Sequence, residues 1–249
     1  MRTIDLNADV GEGFDDTDAA LLPLVTSANI ACGGHAGDAD TMATTVVRCL
    51  AHGVAIGAHP SYPDREGFGR REMALSAEAL DASIRAQIRS LMRIASASGA
   101  HLSHVKPHGA LYNRAAVDPA VAAIVANAVR DVDPALALVG LAGSHLLAAG
   151  RAAGLRVVSE GFADRRYTAE GVLVPRSDAA ALITDAEAAS EQVRRMLLER
   201  RVTSVDGRDV ALEIDTVCLH GDGPHAITFV HRLRAALAAA GVRPQAVSS

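Results

Sequence analysis

Short apolar runs alternate along this chain with longer stretches in which apolar residues recur every three or four positions. The runs at 3–7, 28–32, 54–58, 102–106, 137–140, 156–159 and 216–219 predict strands, because each is brief and closely followed by residues that favour turns. The intervening spacing predicts helices. One opens at Ser76, an N-cap residue, and carries Leu80, Ile84, Ile88, Leu91 and Ala95 on one stripe, with Gly99 where a C-cap glycine belongs. A second opens at Asp118, with Pro119 in the first helical position. A third follows Asp185 and puts Ala189, Val193, Met196 and Leu197 on its apolar face. A fourth covers about 225–240 and stops at Gly241. Asp206 and Gly207, between VTSV and VALEI, predict a two-residue hairpin turn.

Repeated strand-then-helix units with no break in composition predict one α/β domain over 1–249, its tail at 243–249 frayed. About seven units favour a single, slightly irregular (β/α) barrel of parallel strands. An open doubly wound sheet is the alternative, because strand order is not written in periodicity.

Polar residues sharpen this picture. Almost every predicted strand runs straight into a polar cluster: Asn7 to Glu12, Cys32 to Asp38 with Asn29 before it, His59 to Asp64, Lys106 to Gly109, Glu160 to Tyr167, and His220 to Asp222. In a parallel barrel all carboxyl ends of strands open on one face, so these clusters are expected to converge there as an enzyme site. His35, His59, His108 and His220 follow strands directly, whereas His52, His101, His145 and His231 fall in or beside helices and are read as surface or packing residues. Gly34, Gly57, Gly109 and Gly221 beside the first group are expected to let the backbone turn or approach a ligand. Asp9 and Asp38 each have a plainer reading as helix caps.

Composition narrows the chemistry further. A net charge of −5 without runs of like charge argues against nucleic acid as a partner. No stretch approaches the roughly 18 apolar residues of a membrane span, and the first residues lack an apolar signal core, so a cytoplasmic protein is expected. Three scattered cysteines suggest neither a disulfide framework nor a zinc ribbon. Of 24 basic residues only Lys106 is a lysine, and it stands in the densest polar motif. It is read either as a nucleophile with a depressed pKa or, preferably, as a cation facing a carboxylate or oxyanion. At least one arginine of Arg70 and Arg71, and one of Arg165 and Arg166, is expected to clamp a carboxylate or phosphate. Asp9, Glu12, His35, His59, Asp64 and His108 together could hold a divalent metal, although no H-x-H or H-E-x-x-H spacing occurs. There is no G-x-x-x-x-G-K-[ST] loop and no G-x-S-x-G elbow.

The segments DLNADVGEGF, SANIACGGHAGD, IGAHPSYPDREGFGRR, HVKPHGALYN, EGFADRRYTAEGVLVPR and DTVCLHGDGPHA occur in this order from residue 5 to about 226. Together they resemble the LamB/YcsF family. The resemblance implies a barrel related to the polysaccharide-deacetylase and glycosidase-like barrels. It also implies ATP-dependent cleavage of 5-oxo-L-proline to L-glutamate, as the A subunit of a 5-oxoprolinase that needs subunits B and C. Ala8 and Gly34 depart from residues frequent in the family and are expected to reshape the pocket wall. Under this reading Asp9, Lys106, His108 and Glu160 are the catalytic candidates, with Asp9 or Glu160 as base and Lys106 with His108 at the oxyanion. Asn7, Asn29, Arg70, Tyr112, Asp164, Arg166 and His220 are the substrate-binding candidates, and His35, His59 and Asp64 the metal ligands. ATP, as co-substrate, is expected to bind at least partly on a partner subunit. Two other readings are a stand-alone metal-dependent amidohydrolase or deacetylase, and a non-catalytic substrate-binding subunit.

Overall fold

The structure, a computed structural model, describes residues 2–219 and 226–247. Seven parallel strands close on themselves: β1 (Arg2–Val10), β2 (Ser27–Ala31), β3 (Ala55–His59), β4 (Leu102–Val105), β5 (Ala137–Leu141), β6 (Val157–Phe162) and β9 (Thr216–Leu219), the last pairing back onto β1. The barrel expectation therefore holds, and the open sheet is set aside. Around it lie α1 (Asp15–Leu21), α2 (Ala39–His52), α3 (Ala77–Ala97), α4 (Gly109–Val117), α5 (Pro119–Val132), α6 (His145–Ala152), α7 (Ala186–Glu199) and α8 (Ala226–Ala239).

Local chemistry explains the boundaries. Ser76, Asp118 and Asp185 each accept a bond from a backbone N–H in the first turn of α3, α5 and α7. Asp38 does the same for α2, taking Thr41 N–H at 2.8 Å, so its plain capping reading is the right one. Gly99 adopts φ +73° one residue past the end of α3's cap.

The alternation of each strand then sorts its side chains. On β1, Leu6, Ala8 and Val10 face the helices and join Ile30, Val105 and Leu138 in the main core, against Val46 of α2, Ile84, Ile88 and Leu91 of α3, and Val125 and Val129 of α5. Each fully buried aliphatic side chain there contributes roughly 1.5–3 kcal/mol. Asp5, Asn7 and Asp9, the alternate residues of β1, make their side-chain bonds inside the barrel.

Two expectations change. The chain does not fray at 243: β10 (Val242–Pro244) pairs in parallel with β1, and Gln245 N–H donates to Ile4 C=O at 2.9 Å. The first residues of β1 overhang β9 and leave an edge that β10 covers. The predicted two-residue turn is longer. Strands β7 (Arg201–Thr203) and β8 (Asp209–Ala211) are joined by residues 204–208, in which Ser204 and Arg208 bond to each other and Asp206 and Gly207 lie near the tip.

Candidate functional site

A cavity of about 590 Å³ opens at the carboxyl ends of the strands. Asp9, Glu12, His59, Lys106 and His108 line its floor. Asp18 of α1, Tyr112 of α4 and Phe162 of β6 form the wall, and Arg70, Arg165 and Arg176 bring positive charge to it. No helix among the described residues is long and apolar enough to cross a membrane.

Lys106 is 2% exposed, and its Nζ lies 3.0 Å from Asp9 Oδ1, 2.9 Å from Glu160 Oε1 and 3.2 Å from Asn7 Oδ1. Burial alone would discharge the amine, but the Asp9 and Glu160 carboxylates outweigh it and hold its pKa well above the ordinary value. This geometry suits the cation reading and not the nucleophile. Beneath it a polar network fixes both carboxylates. Asn7 donates to Glu160 Oε1 at 2.9 Å and Thr216 Oγ1 at 2.7 Å, and Asn29 donates to Asp9 Oδ1 and Asn7 Oδ1, each at 2.8 Å. His104 closes the network onto Asn29 Oδ1 at 2.8 Å, and burial pulls its pKa down to about 3.

Beside this clamp sits a group of imidazoles. His59 Nδ1 is 2.6 Å from Lys106 C=O and His108 Nε2 is 3.0 Å from Phe68 C=O. A carbonyl only accepts, so those nitrogens carry the protons and the opposite nitrogens, His59 Nε2 and His108 Nδ1, face each other at 3.0 Å. Glu12 Oε1 lies 3.2 Å from His108 Nδ1 and 3.9 Å from His59 Nε2. It also accepts from His35 Nε2 at 2.7 Å. Burial would raise the Glu12 pKa, but the imidazoles of His108 and His35 outweigh that and hold it well below the usual range. Burial lowers His35 to about 4, so it is neutral near pH 7.

Among the described residues, four buried side-chain atoms lack a hydrogen-bond partner: His35 Nδ1, Tyr112 Oη, Glu160 Oε2 and Arg165 Nε. Tyr112 and Arg165 line the cavity, where a ligand would meet them, whereas His35 and Glu160 lie buried behind its lining.

The predicted residues divide accordingly. Asp9, Lys106, His59, His108, Arg70 and Tyr112 line the cavity. Glu160 is fully buried beneath it and grips Lys106, which leaves Asp9 as the carboxylate positioned to meet a water. Asn7 and Asn29 are buried under the floor and fix the charged groups without lining the cavity. His108 has spent its Nε2–H on Phe68, so it is not placed as a donor to an oxyanion. Asp64 is not with the imidazoles: Gly67 N–H and the Arg71 guanidinium occupy its carboxylate. In the second arginine pair the buried member is Arg165, which lines the cavity and donates to Val174 C=O at 2.7 Å, whereas Arg166 is exposed. Asp164 does not line the cavity either. His220, like Gly221, lies outside the described residues.

The glycines serve packing. A Cβ on Gly57 would stand 2.1 Å from His104 Nε2, and one on Gly109, at φ +55°, 2.5 Å from Gly69 C=O. Ala8 and Gly34 do not border the cavity; Gly34 packs against Gln87, whose amide bonds both backbone groups of Ser61. Sequence reasoning missed Asp18 and Arg176, and it gave no role to His104. Asp18 accepts Gly11 N–H at 2.8 Å, and burial raises its pKa to about 6. Only the acidic helix start GEGFDDTD marked it, and Asp15 and Asp16 carry the same mark.

A closed parallel barrel with its ionisable residues gathered at the strand ends has the layout of an enzyme barrel. The chain belongs to the LamB/YcsF family, whose profile matches residues 4–249. A relative from Geobacillus kaustophilus, named as the A subunit of 5-oxoprolinase, is 55% identical over 249 residues, covering 99% of this chain and 97% of its own. The crystal structure of a lactam utilization protein from Thermus thermophilus superposes with a TM-score of 0.91 at 46% identity, covering 98% of this chain and 100% of that one. A family 4 carbohydrate esterase from Streptomyces lividans reaches a TM-score of 0.51 at 14% identity, covering 99% of this chain and 93% of that one, which speaks to the fold alone.

Proposed function

We propose that this chain is the barrel subunit of a 5-oxoprolinase and opens the lactam ring of 5-oxo-L-proline at its strand-end cavity. The observation that carries the reading is the buried Lys106 held between Asp9 and Glu160 at the cavity floor. Family membership and the name of the Geobacillus kaustophilus relative supply the substrate.

An unstrained five-membered amide resists hydrolysis, and coupling to ATP overcomes this. The lactam oxygen attacks the γ-phosphorus of ATP, and ADP leaves. Water adds to the activated carbon while Asp9 takes its proton, and Lys106 offsets charge building on oxygen. The C–N bond then breaks as the nitrogen gains a proton, leaving an acyl phosphate. A second water releases phosphate and L-glutamate. Arg70 and Arg165 hold the substrate carboxylate or the transferred phosphoryl group. ATP binding falls at least partly to partner subunits B and C, because this chain has no phosphate-binding G-x-x-x-x-G-K-[ST] loop.

Glutamate release from 5-oxoproline by this chain, alone and with both partner subunits, each with and without ATP, tests the proposal. Release only with ATP and both partners is expected. No release in any combination from folded protein would overturn it. A second reading, a metal-dependent amidohydrolase without ATP, is favoured by the convergence of Glu12, His59 and His108, and release that needs no ATP would select it.

A further inference from the structure

The imidazole cluster has a feature that the lysine clamp does not explain. His59 Nε2 and His108 Nδ1, the nitrogens left over once backbone carbonyls have taken the other N–H of each ring, stand 3.0 Å apart, with Glu12 Oε1 against both and Asp9 Oδ2 3.3 Å from His59 Nε2. With both rings neutral, two lone pairs at that distance repel, and the Glu12 and Asp9 carboxylates beside them add no donor. A positive centre between them removes the conflict.

We propose that Glu12, His59 and His108 form a divalent-metal site on the cavity floor, with His35 as the positioning residue for Glu12. The spacing suits an ion. The three donor pairs are 3.0, 3.2 and 3.9 Å apart, bracketing the ~3.3 Å edge of a tetrahedron with bonds of about 2.0–2.1 Å. Each imidazole donates its other N–H to a backbone carbonyl, an arrangement that metal-binding histidines almost always show with such an acceptor.

His35 belongs to the same cluster, with a donor atom within 4.8 Å of the other three. Its ring, however, stacks on His108 with centroids 3.7 Å apart and planes at 3°. Two parallel rings cannot both aim an in-plane lone pair at one ion. His35 instead donates Nε2–H to Glu12 Oε1 and does not line the cavity, so it orients the carboxylate from behind. The His59 and His108 planes meet at 87°, which lets both lone pairs converge.

Two imidazoles and one carboxylate suit Zn²⁺, Fe²⁺ or Co²⁺ better than the oxygen-seeking Mg²⁺ or Ca²⁺. Three protein ligands leave positions open toward the cavity, where an ion would polarise an amide oxygen or acidify a water. The site stands independently of which amide the cavity accepts, and its test does not use turnover.

The purified full-length chain, stripped with chelator, is titrated with Zn²⁺ by calorimetry and with Co²⁺ by absorption spectroscopy. One equivalent of Zn²⁺ is expected. The Co²⁺ protein should show ligand-field bands of low coordination without thiolate charge-transfer, since no cysteine is in the set. In folded His59→Ala, His108→Ala and Glu12→Gln proteins, affinity should fall at least 100-fold. His35→Gln should cost about 10–100-fold, as loss of an orienting partner does. The exposed His101→Ala should bind as wild type. Absence of stoichiometric binding by the wild-type chain would overturn the proposal, leaving a proton between the two imidazoles. Binding that survives unweakened in the folded ligand variants would overturn it equally.

Discussion

Strands β1 and β5 obey the same alternation, but their inner faces differ completely. From β1, Asp5, Asn7 and Asp9 enter a continuous hydrogen-bond network. From β5, Ala137 and Val139 pack with Val158 of β6 in a small apolar cluster of their own. The polar side persists because nearly every buried group has a partner, and the apolar side supplies bulk without competing for those bonds. One half of the barrel is thus chemistry and the other half is wall. The same sequence period builds both.

The largest break in this contrast should come from Lys106→Met. It leaves the Asp9 and Glu160 carboxylates buried without their cation, so unfolding free energy should fall by about 3–5 kcal/mol in denaturant titrations. Gly57→Ala should cost about 1–3 kcal/mol by the same measurement, because its Cβ would stand 2.1 Å from the His104 ring that supports Asn29.

Asp18 sharpens the contrast through pH. Its folded pKa of about 6 lies above its ordinary value of 3.8, so the folded state keeps a proton that the unfolded chain has lost. Its contribution is therefore fullest below about pH 4 and falls as pH rises to about 6. Asp18→Asn should remove a decline on the order of 2 kcal/mol from the stability profile over that window. The smallest effect is expected at the arginine pair. Arg165→Ala should lower kcat/KM by roughly 10-fold or more if its guanidinium clamps an anion worth at least 1.4 kcal/mol. Arg166→Ala should leave activity unchanged and stability within about 0.5 kcal/mol.

Much of the fold and part of the site are legible in the amino-acid pattern. All seven barrel strands lie where short apolar runs place them, because strands covered on both sides must be apolar on the helix-facing side at least. The strand-end rule also brings Asp9, Lys106, His59 and His108 to one cavity. What fails lies in the loops, where no period tells inside from outside. Arg165 and Arg166 are adjacent and chemically equal, and only the path of the β6–α7 segment decides which one is buried. Asp64 looks like a ligand because it follows His59 closely, yet its own loop supplies Arg71 to neutralise it. His104 is easily overlooked because it sits inside a strand, where a buried polar residue makes sense only once Asn29 and the missing side chain of Gly57 are seen across the barrel.

The central claim is that ring opening takes place on this chain's own cavity floor. Asp9→Asn tests it most directly, since the amide is nearly isosteric and its oxygen can still accept from Lys106 and Asn29. The variant should assemble with its partner subunits and fold as wild type. Glutamate release from 5-oxoproline in the complete, ATP-supplied enzyme should then drop by about 100-fold or more in kcat, as expected when a general base is lost. Unchanged kcat in a fully assembled complex would contradict the claim and move the chemistry to a partner.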